Sequence, residues 1–270
     1  MSGPGRAPGE ALGGTLGGAL GDALGTRAGG APGGPAAAAP PVLGTPAGDV
    51  PLAEYRLGLG GRTWSVLHAG ALLSHVDEQL YLGEPRDRLP YGAALWPSSI
   101  ALAHDVAARA DAFRGRAVLE LGAGTGLPGI VAASFGARVT QTDKHALALE
   151  LCAANGRRNG VAGVTYRAAD WTAWDDDARY SWILGADVLY AESTQPALRA
   201  ILERNLAPGG RVLLADPFRK ASLPVLEAME ADGWTVAVAR WTVHDAALSG
   251  ETDPMLAPRH VGVFELAPPA

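Results

Sequence analysis

The 270-residue sequence predicts an α/β fold: a mostly parallel sheet of seven strands, the last of them antiparallel, with helices on both faces. Three observations predict it. Val118 to Gly129 reads as a short buried strand, then alternate glycines at 122, 124 and 126, then a helical pattern over Leu127 to Phe135. Apolar strand runs and helical periodicities then alternate as far as Asp232. The final two strand runs have no helix between them, so they are expected to pair antiparallel at one edge.

In chain order, residues 1–49 are dominated by Gly, Ala and Pro with almost no aromatic or β-branched side chains, and are expected to form a disordered tail. Leu12, Leu16, Leu20 and Leu24 recur at helical spacing, but the glycines between them make a poor helix. Folded chain is expected from about Pro51. Tyr55 to Leu59 and Arg62 to Leu67 are extended runs joined by Gly60-Gly61, a hairpin signal. His68 to Leu82 reads as a short helix or irregular cover and Glu84 to Leu89 as a charged loop, so 50–89 forms a hairpin and cover ahead of a main domain over 90–270.

Ser98 or Ser99 is expected to cap a helix over Ile100 to Ala110. Beyond the glycine turn lie a strand over Ala137 to Thr142 ending in Asp143, a helix over Ala146 to Asn155, and a strand over Val164 to Arg167 followed by Asp170-Trp171. A strand over Ser181 to Ala186 runs into Asp187-Val-Leu-Tyr190, and a helix over Gln195 to Asn205 leads to the turn Ala207-Pro-Gly-Gly210. A strand over Arg211 to Ala215, a helix over Leu223 to Asp232, and strands over Trp234 to Ala239 and Val261 to Leu266 complete the pattern.

Composition narrows the function. A net charge of -6 gives no basic field, so nucleic acid is not expected as the main partner. The single cysteine, Cys152, makes neither a disulfide framework nor a thiolate cluster, which fits a reducing cytoplasm. No apolar run reaches membrane-spanning length, and no secretory signal pattern opens the chain. The six histidines show no metal spacing, Asp175-Asp-Asp177 reads as a solvated charge run, and no metal is expected.

The glycine turn is the candidate ligand site, because glycine accepts positive φ and lets a ligand approach the backbone. Pro128 suits the first helical turn behind it. Gly124-Thr-Gly126-Leu-Pro-Gly129 satisfies the dinucleotide pattern by itself, but the strand closes at Gly122, two residues before that match begins. An acidic residue about twenty residues on, Asp143, suits a ribose diol in either case.

The combination resembles the class I S-adenosylmethionine-dependent methyltransferases, with their Rossmann-like fold, over roughly residues 90–266. Glu120-Leu-Gly-Ala-Gly-Thr-Gly126 is similar to their first motif, Asp143 to their ribose acid, Asp170 to the acid beside the adenine, and Ala207-Pro-Gly-Gly210 to the turn before their fifth strand. Leu95-Trp-Pro-Ser98, Asp170-Trp171 and Ala186-Asp-Val-Leu-Tyr190 resemble the METTL21-like lysine methyltransferases, with an Asp-x-x-Tyr motif. That resemblance implies S-adenosyl-L-methionine as cofactor and Trp96, Glu120, Gly122, Ala123, Gly124, Gly126, Asp143, Asp170, Trp171 and Ala186 as its contacts. Glu120 would turn toward the cofactor's amino group, and Asp187 and Tyr190 would face the methyl acceptor as catalytic candidates.

Each residue also has a plainer reading. Asp143 could cap the following helix, Trp171 and Trp96 could simply pack, and Asp187 with Tyr190 could be structural. Asp216-Pro-Phe-Arg219, on the same rim, is a second-rank substrate contact. Three functions stay open: methyl transfer to a nitrogen nucleophile, foremost a protein lysine; the same chemistry on a small metabolite; and nicotinamide-dependent oxidoreduction or cofactor binding without turnover.

Overall fold

The computed structural model describes residues 41–45, 48–71, 91–243 and 259–269. Its central element is a seven-stranded sheet of β7 (Ala117–Leu121), β8 (Arg138–Asp143), β9 (Thr165–Ala168), β10 (Tyr180–Ala186), β11 (Leu206–Asp216), β12 (Thr235–Val243) and β13 (Arg259–Ala267). Before it come β1 (Val42–Thr45), β2 (Gly48–Pro51), β3 (Ala53–Leu59), β4 (Arg62–His68), β5 (Gly70–Ala71) and β6 (Ala94–Leu95). The helices are α1 (Pro97–Ala108), α2 (Ala110–Phe113), α3 (Leu127–Ser134), α4 (Ala146–Arg158), α5 (Gln195–Asn205) and α6 (Ser222–Ala231).

Strand order in the large sheet is β12-β13-β11-β10-β7-β8-β9. All pairs are parallel except those of β13, which runs antiparallel to both β11 and β12. The predicted sheet and its antiparallel last strand are therefore as read from the sequence. Because the chain steps outward from β7 to β9 and then returns to β10 on the other side of β7, the order reverses between β7 and β10. Such a switch point opens a crevice at the carboxyl ends of the strands.

Period-two alternation divides β7 between two cores. Val118 packs with Leu102, Val106, Ile130 and Val131 on the side of α1 and α3. Leu119 and Leu121 pack with Leu198, Ile201, Leu202 and Leu226 on the side of α5 and α6. Glu120 shares the parity of Val118 and so faces α3, a placement that decides its partners below.

Several elements differ from expectation. Pairing already starts at Val42, inside the segment expected to be a disordered tail, because Leu43 buries fully against Leu52, Leu67, Leu151 and Ala154. Neither Ser98 nor Ser99 caps α1: Pro97 sets the start, Trp96 is the N-cap residue, and both serines are buried in the first turn. Ala207 to Gly210 is an excursion within β11, where pairing jumps from Tyr180 opposite Leu206 to Trp182 opposite Arg211. The expected cover lies outside the described residues beyond Ala71, as does the charged loop over Glu84 to Leu89.

The hairpin of β3 and β4 turns at Gly60 and Gly61, both at positive φ as a tight primed turn requires. Its attachment to α4 is made by two asparagines one helical turn apart. Asn155 Oδ1 accepts from Leu67 N at 2.8 Å while its Nδ2 donates to Leu67 O at 3.1 Å. Asn159 repeats the pattern on Ser65, at 2.9 and 2.7 Å. The two amides satisfy backbone groups that an edge strand would leave open. Asn155 Nδ2 also donates to Thr125 O at 2.9 Å, tying the hairpin to the glycine loop.

Candidate active site

The loop after β7 needs its glycines. Gly122, Gly124 and Gly126 stand at φ 63, 56 and 78, the left-handed region that other residues pay for in strain. Each is also closely covered. A Cβ on Gly126 would lie 2.8 Å from Cys152 Sγ, and one on Gly124 would lie 3.2 Å from Gly92 O. Ala123 is buried, its N–H donating to Thr142 O at 2.9 Å, so the loop is pinned to β8.

Behind the loop, Glu120 is 1% exposed and accepts from Gly129 N at 3.1 Å and Gln141 Nε2 at 2.6 Å. Gln141 Nε2 also donates to Gly126 O at 2.8 Å. Burial pushes the Glu120 carboxyl up to about 8, against the opposing pull of the bonds from Gln141 and Gly129. One Glu120 oxygen is thus committed to the scaffold. A Cβ at Gly129 would collide with it, which explains a glycine inside the first turn of α3.

Asp143 closes β8 and is 7% exposed. Its Oδ2 accepts from Gly124 N at 3.1 Å and its Oδ1 from His145 N at 2.9 Å, so it orders both the loop and the approach to α4, whose N-cap residue is His145. Burial raises its pKa, with the two backbone bonds pulling the other way. Each ionised oxygen retains capacity for a further donor. Gly92 sits above it: a Cβ there would lie 2.8 Å from Ala148 Cβ and 3.7 Å from Asp143 Oδ2.

Trp171 and Asp170 follow β9. The indole Cζ2 lies 3.4 Å from where a Cβ on Gly122 would stand, and Val188 Cγ1 lies 3.2 Å from the same point, so bare backbone faces an aromatic and an aliphatic side chain. Asp170 is exposed, caps the short 3-10 turn Trp171–Ala173 through Thr172 N at 2.8 Å, and has its pKa lowered by the hydrogen bonds from Thr172.

Asp187 is 8% exposed and adopts φ 57 directly after Ala186, the last residue of β10. Its carboxylate accepts from Arg219 Nε at 2.7 Å, Arg219 Nη2 at 3.1 Å and Ser98 Oγ at 3.4 Å. The Arg219 guanidinium carbon in turn lies 5.8 Å from the centroid of the Trp96 ring. Tyr190, three residues after Asp187, is 55% exposed.

The carboxyl ends of β7, β8 and β10 thus carry the glycine loop with Glu120 behind it, Asp143 and Asp187, and Trp171 lies against Gly122. Sequence reasoning gave no site role to Gln141 or Gly92, and named Gly129 and Val188 only as members of longer motifs. Gln141 carried a usable signal: it has the parity of Val139 in a strand facing the apolar α3 side, where a polar side chain needs a partner. Among the described residues, no group of three or more His, Cys, Asp or Glu could hold a metal ion.

The sequence model of the family described as lysine methyltransferase matches residues 76–225, more than half of the chain. The chain belongs to the lysine methyltransferase family. It is 36% identical over 159 residues to the protein N-lysine methyltransferase METTL21A of Danio rerio, covering 56% of this chain and 72% of that protein. Identity to METTL21A of Xenopus tropicalis is 35% over 135 residues, covering 48% and 62%. Identity to EEF1A lysine methyltransferase 3 of Mus musculus is 36% over 137 residues, covering 49% and 58%. The chain spans less than two thirds of the frog and mouse proteins.

Membership in the lysine methyltransferase family decides the nucleotide: the cofactor it indicates is S-adenosylmethionine, and a nicotinamide dinucleotide is set aside. The crevice fits that group. It offers a bare glycine backbone beside an indole, and a carboxylate with spare acceptor capacity at the end of the second strand.

Proposed function

We propose that this protein transfers a methyl group from S-adenosylmethionine to a nitrogen nucleophile, the Nε of a lysine in a protein acceptor. The observation that carries this reading is the family match, whose span 76–225 contains every candidate site residue from Trp96 to Arg219. The cofactor supplies a methyl bonded to a sulfonium, and displacement on it is in line, so the protein's task is to align the amine and exclude water.

Gly122, Ala123, Gly124 and Gly126 carry the backbone on which the cofactor rests, and Glu120 fixes the loop and meets the amino group. Asp143 accepts from the ribose hydroxyls. Asp170 and Trp171 flank the adenine, with Ala186 and Trp96 on the side toward the acceptor. Asp187 and Tyr190 stand where the acceptor enters, and Asp187 orients the incoming nitrogen.

The protein acceptor follows the printed activities of the relatives. Cytoplasmic placement is supported by the lone cysteine, buried and free, and absence of a nucleic-acid partner by the net charge of -6. No helix among the described residues is long and apolar enough to cross a membrane. Incubation with donor carrying a tritiated methyl, followed by acid hydrolysis of the labelled protein fraction, is expected to give ε-methylated lysine. Label confined to methylarginine or to small molecules would overturn the acceptor assignment.

A further inference from the structure

Asp187 and Arg219 are brought together by a backbone that is strained on both sides of the pair. Asp187 adopts φ 57 and Phe218, immediately before Arg219, adopts φ 61; no other described non-glycine residue has positive φ. Aspartate tolerates this region, but a bulky phenylalanine in it is an outlier. Phe218 is held there by the edge of the Phe264 ring, centroids 5.8 Å apart, and by the Arg240 guanidinium 5.5 Å from its own centroid. Asp187 is held by its N–H, which donates to Ala215 O at 2.8 Å. Strain of this kind persists where the surroundings over-determine it, and it concentrates at functional sites.

The strained turns deliver a guanidinium fork onto a carboxylate. Arg219 reaches Asp187 through both Nε and Nη2, a geometry that lysine cannot reproduce. The side chains of the pair are 20% and 5% exposed. Two further groups meet it. The first turn of α1 brings Ser98 and contains no acid. Asp216 accepts from Arg219 N at 2.7 Å and from Ser222 Oγ at 2.6 Å, and burial raises its pKa. Arg219 makes direct contact with Asp187, and the Asp216 carboxyl lies close enough to act on it electrostatically.

A buried carboxylate alone at an acceptor site would favour the charged form of an arriving lysine and raise its pKa by about 1–3 units. That opposes catalysis, because only the neutral amine has the lone pair that attacks. We propose that Arg219 is a positioning residue for the acceptor: by pairing with Asp187 it offsets that carboxylate's charge at the entrance, so the lysine sheds its proton there more readily than it would beside Asp187 alone. This rests on the lysine methyltransferase reading above. The proton passes to solvent; the lone pair then forms the N–C bond while the C–S bond breaks, and that electron pair stays on sulfur as a neutral thioether. The secondary ammonium product loses its own proton to solvent.

The test is the pH dependence of methyl transfer into a degenerate pool of peptides, each with one central lysine. Calorimetric titration with S-adenosylhomocysteine at each pH corrects for cofactor occupancy. For Arg219→Gln the rising limb is expected to move to higher pH by about 1–3 units, and adding Asp187→Asn should bring it back toward the parent position. Arg219→Lys should restore most of the parent profile. A limb that stays in place, or moves to lower pH, in Arg219→Gln overturns the proposal while leaving lysine methylation intact. If Arg219→Gln does not fold, Arg219→Met is read in the same way, an alkaline shift of the rising limb being expected and a limb that stays in place overturning. Should the unsubstituted protein label no lysine in the pool, the acceptor reading itself fails and this inference with it.

Discussion

Glu120 and Gln141 are register partners on neighbouring parallel strands, and the Gln141 amide donates to the Glu120 carboxyl at 2.6 Å on the face covered by α3. Their joint position makes the loop a rigid floor, because the same amide nitrogen also holds Gly126 O. It also leaves a carboxyl where water cannot solvate its charge. With the folded value at about 8 against an ordinary carboxyl value of 4.5, the unfolded chain releases this proton first as pH rises. The stability from the protonated form is complete below about 4.5 and is lost progressively up to about 8, at roughly 1.4 kcal/mol per pH unit. Urea unfolding of Glu120→Gln alongside the parent checks this. The parent should lose more stability than Glu120→Gln across that window, while the buried Asp143 carboxyl, its pKa also raised, gives both proteins a decline of their own.

Cofactor binding should draw on the same carboxyl in the opposite sense. If Glu120 meets the cofactor's ammonium, binding favours the ionised form, so affinity for S-adenosylhomocysteine should rise with pH as far as about 8 and then level. Glu120→Gln should bind more weakly and lose this part of the rise. Calorimetry in two buffers of different ionisation enthalpy reads the released proton directly. Equal pH dependence in both proteins would remove Glu120 from the amino group.

The asparagine pair on α4 gives a stability prediction that composition alone does not. Asn155→Ala leaves Leu67 N–H, Leu67 C=O and Thr125 C=O without a buried partner, and is expected to cost about 2–4 kcal/mol. Asn159→Ala loses the same two bonds to Ser65 but lies nearer the surface, so about 1–2 kcal/mol is expected. Equilibrium unfolding measures both. Asn155 alone reaches the glycine loop, so only its substitution should also weaken S-adenosylhomocysteine binding.

How far the sequence could be read follows from the physics of each part. The glycine turn was legible because three left-handed residues in one short loop leave little choice but glycine. The sheet was legible because its strands alternate with helices and bury apolar side chains on both faces. The strand-end acids were legible by position. The return of Arg219 onto Asp187 was not, because it depends on a phenylalanine in a conformation that its residue type disfavours. The cross-link by Asn155 and Asn159 was hidden as well: two polar residues near a helix end look solvent-facing until a strand is laid beside them. Trp96 looked like a wall and Ser98 like a cap. The helix instead starts at Pro97, which leaves Ser98 to reach Asp187.

Gly92 offers a test of how closely the segment before α1 must lie over the crevice. It has ordinary backbone angles, so space alone excludes a side chain: a Cβ would stand 2.8 Å from Ala148 Cβ on α4 and 3.7 Å from Asp143 Oδ2. Its carbonyl in turn lies 3.2 Å from where Gly124 would carry a Cβ, so lifting it would uncover the loop. Gly92→Ala should therefore cost about 1–3 kcal/mol, as overpacking does, and should weaken S-adenosylhomocysteine binding by displacing the segment above Asp143. Ala148→Gly removes the opposing methyl. The double substitution should recover binding toward the parent value, although the helix loses about 1 kcal/mol of intrinsic preference through the new glycine. Recovery of affinity without full recovery of unfolding free energy separates the steric cause from the helical one. Failure of the double substitution to restore binding would show that Gly92 acts through its backbone rather than through the space above α4.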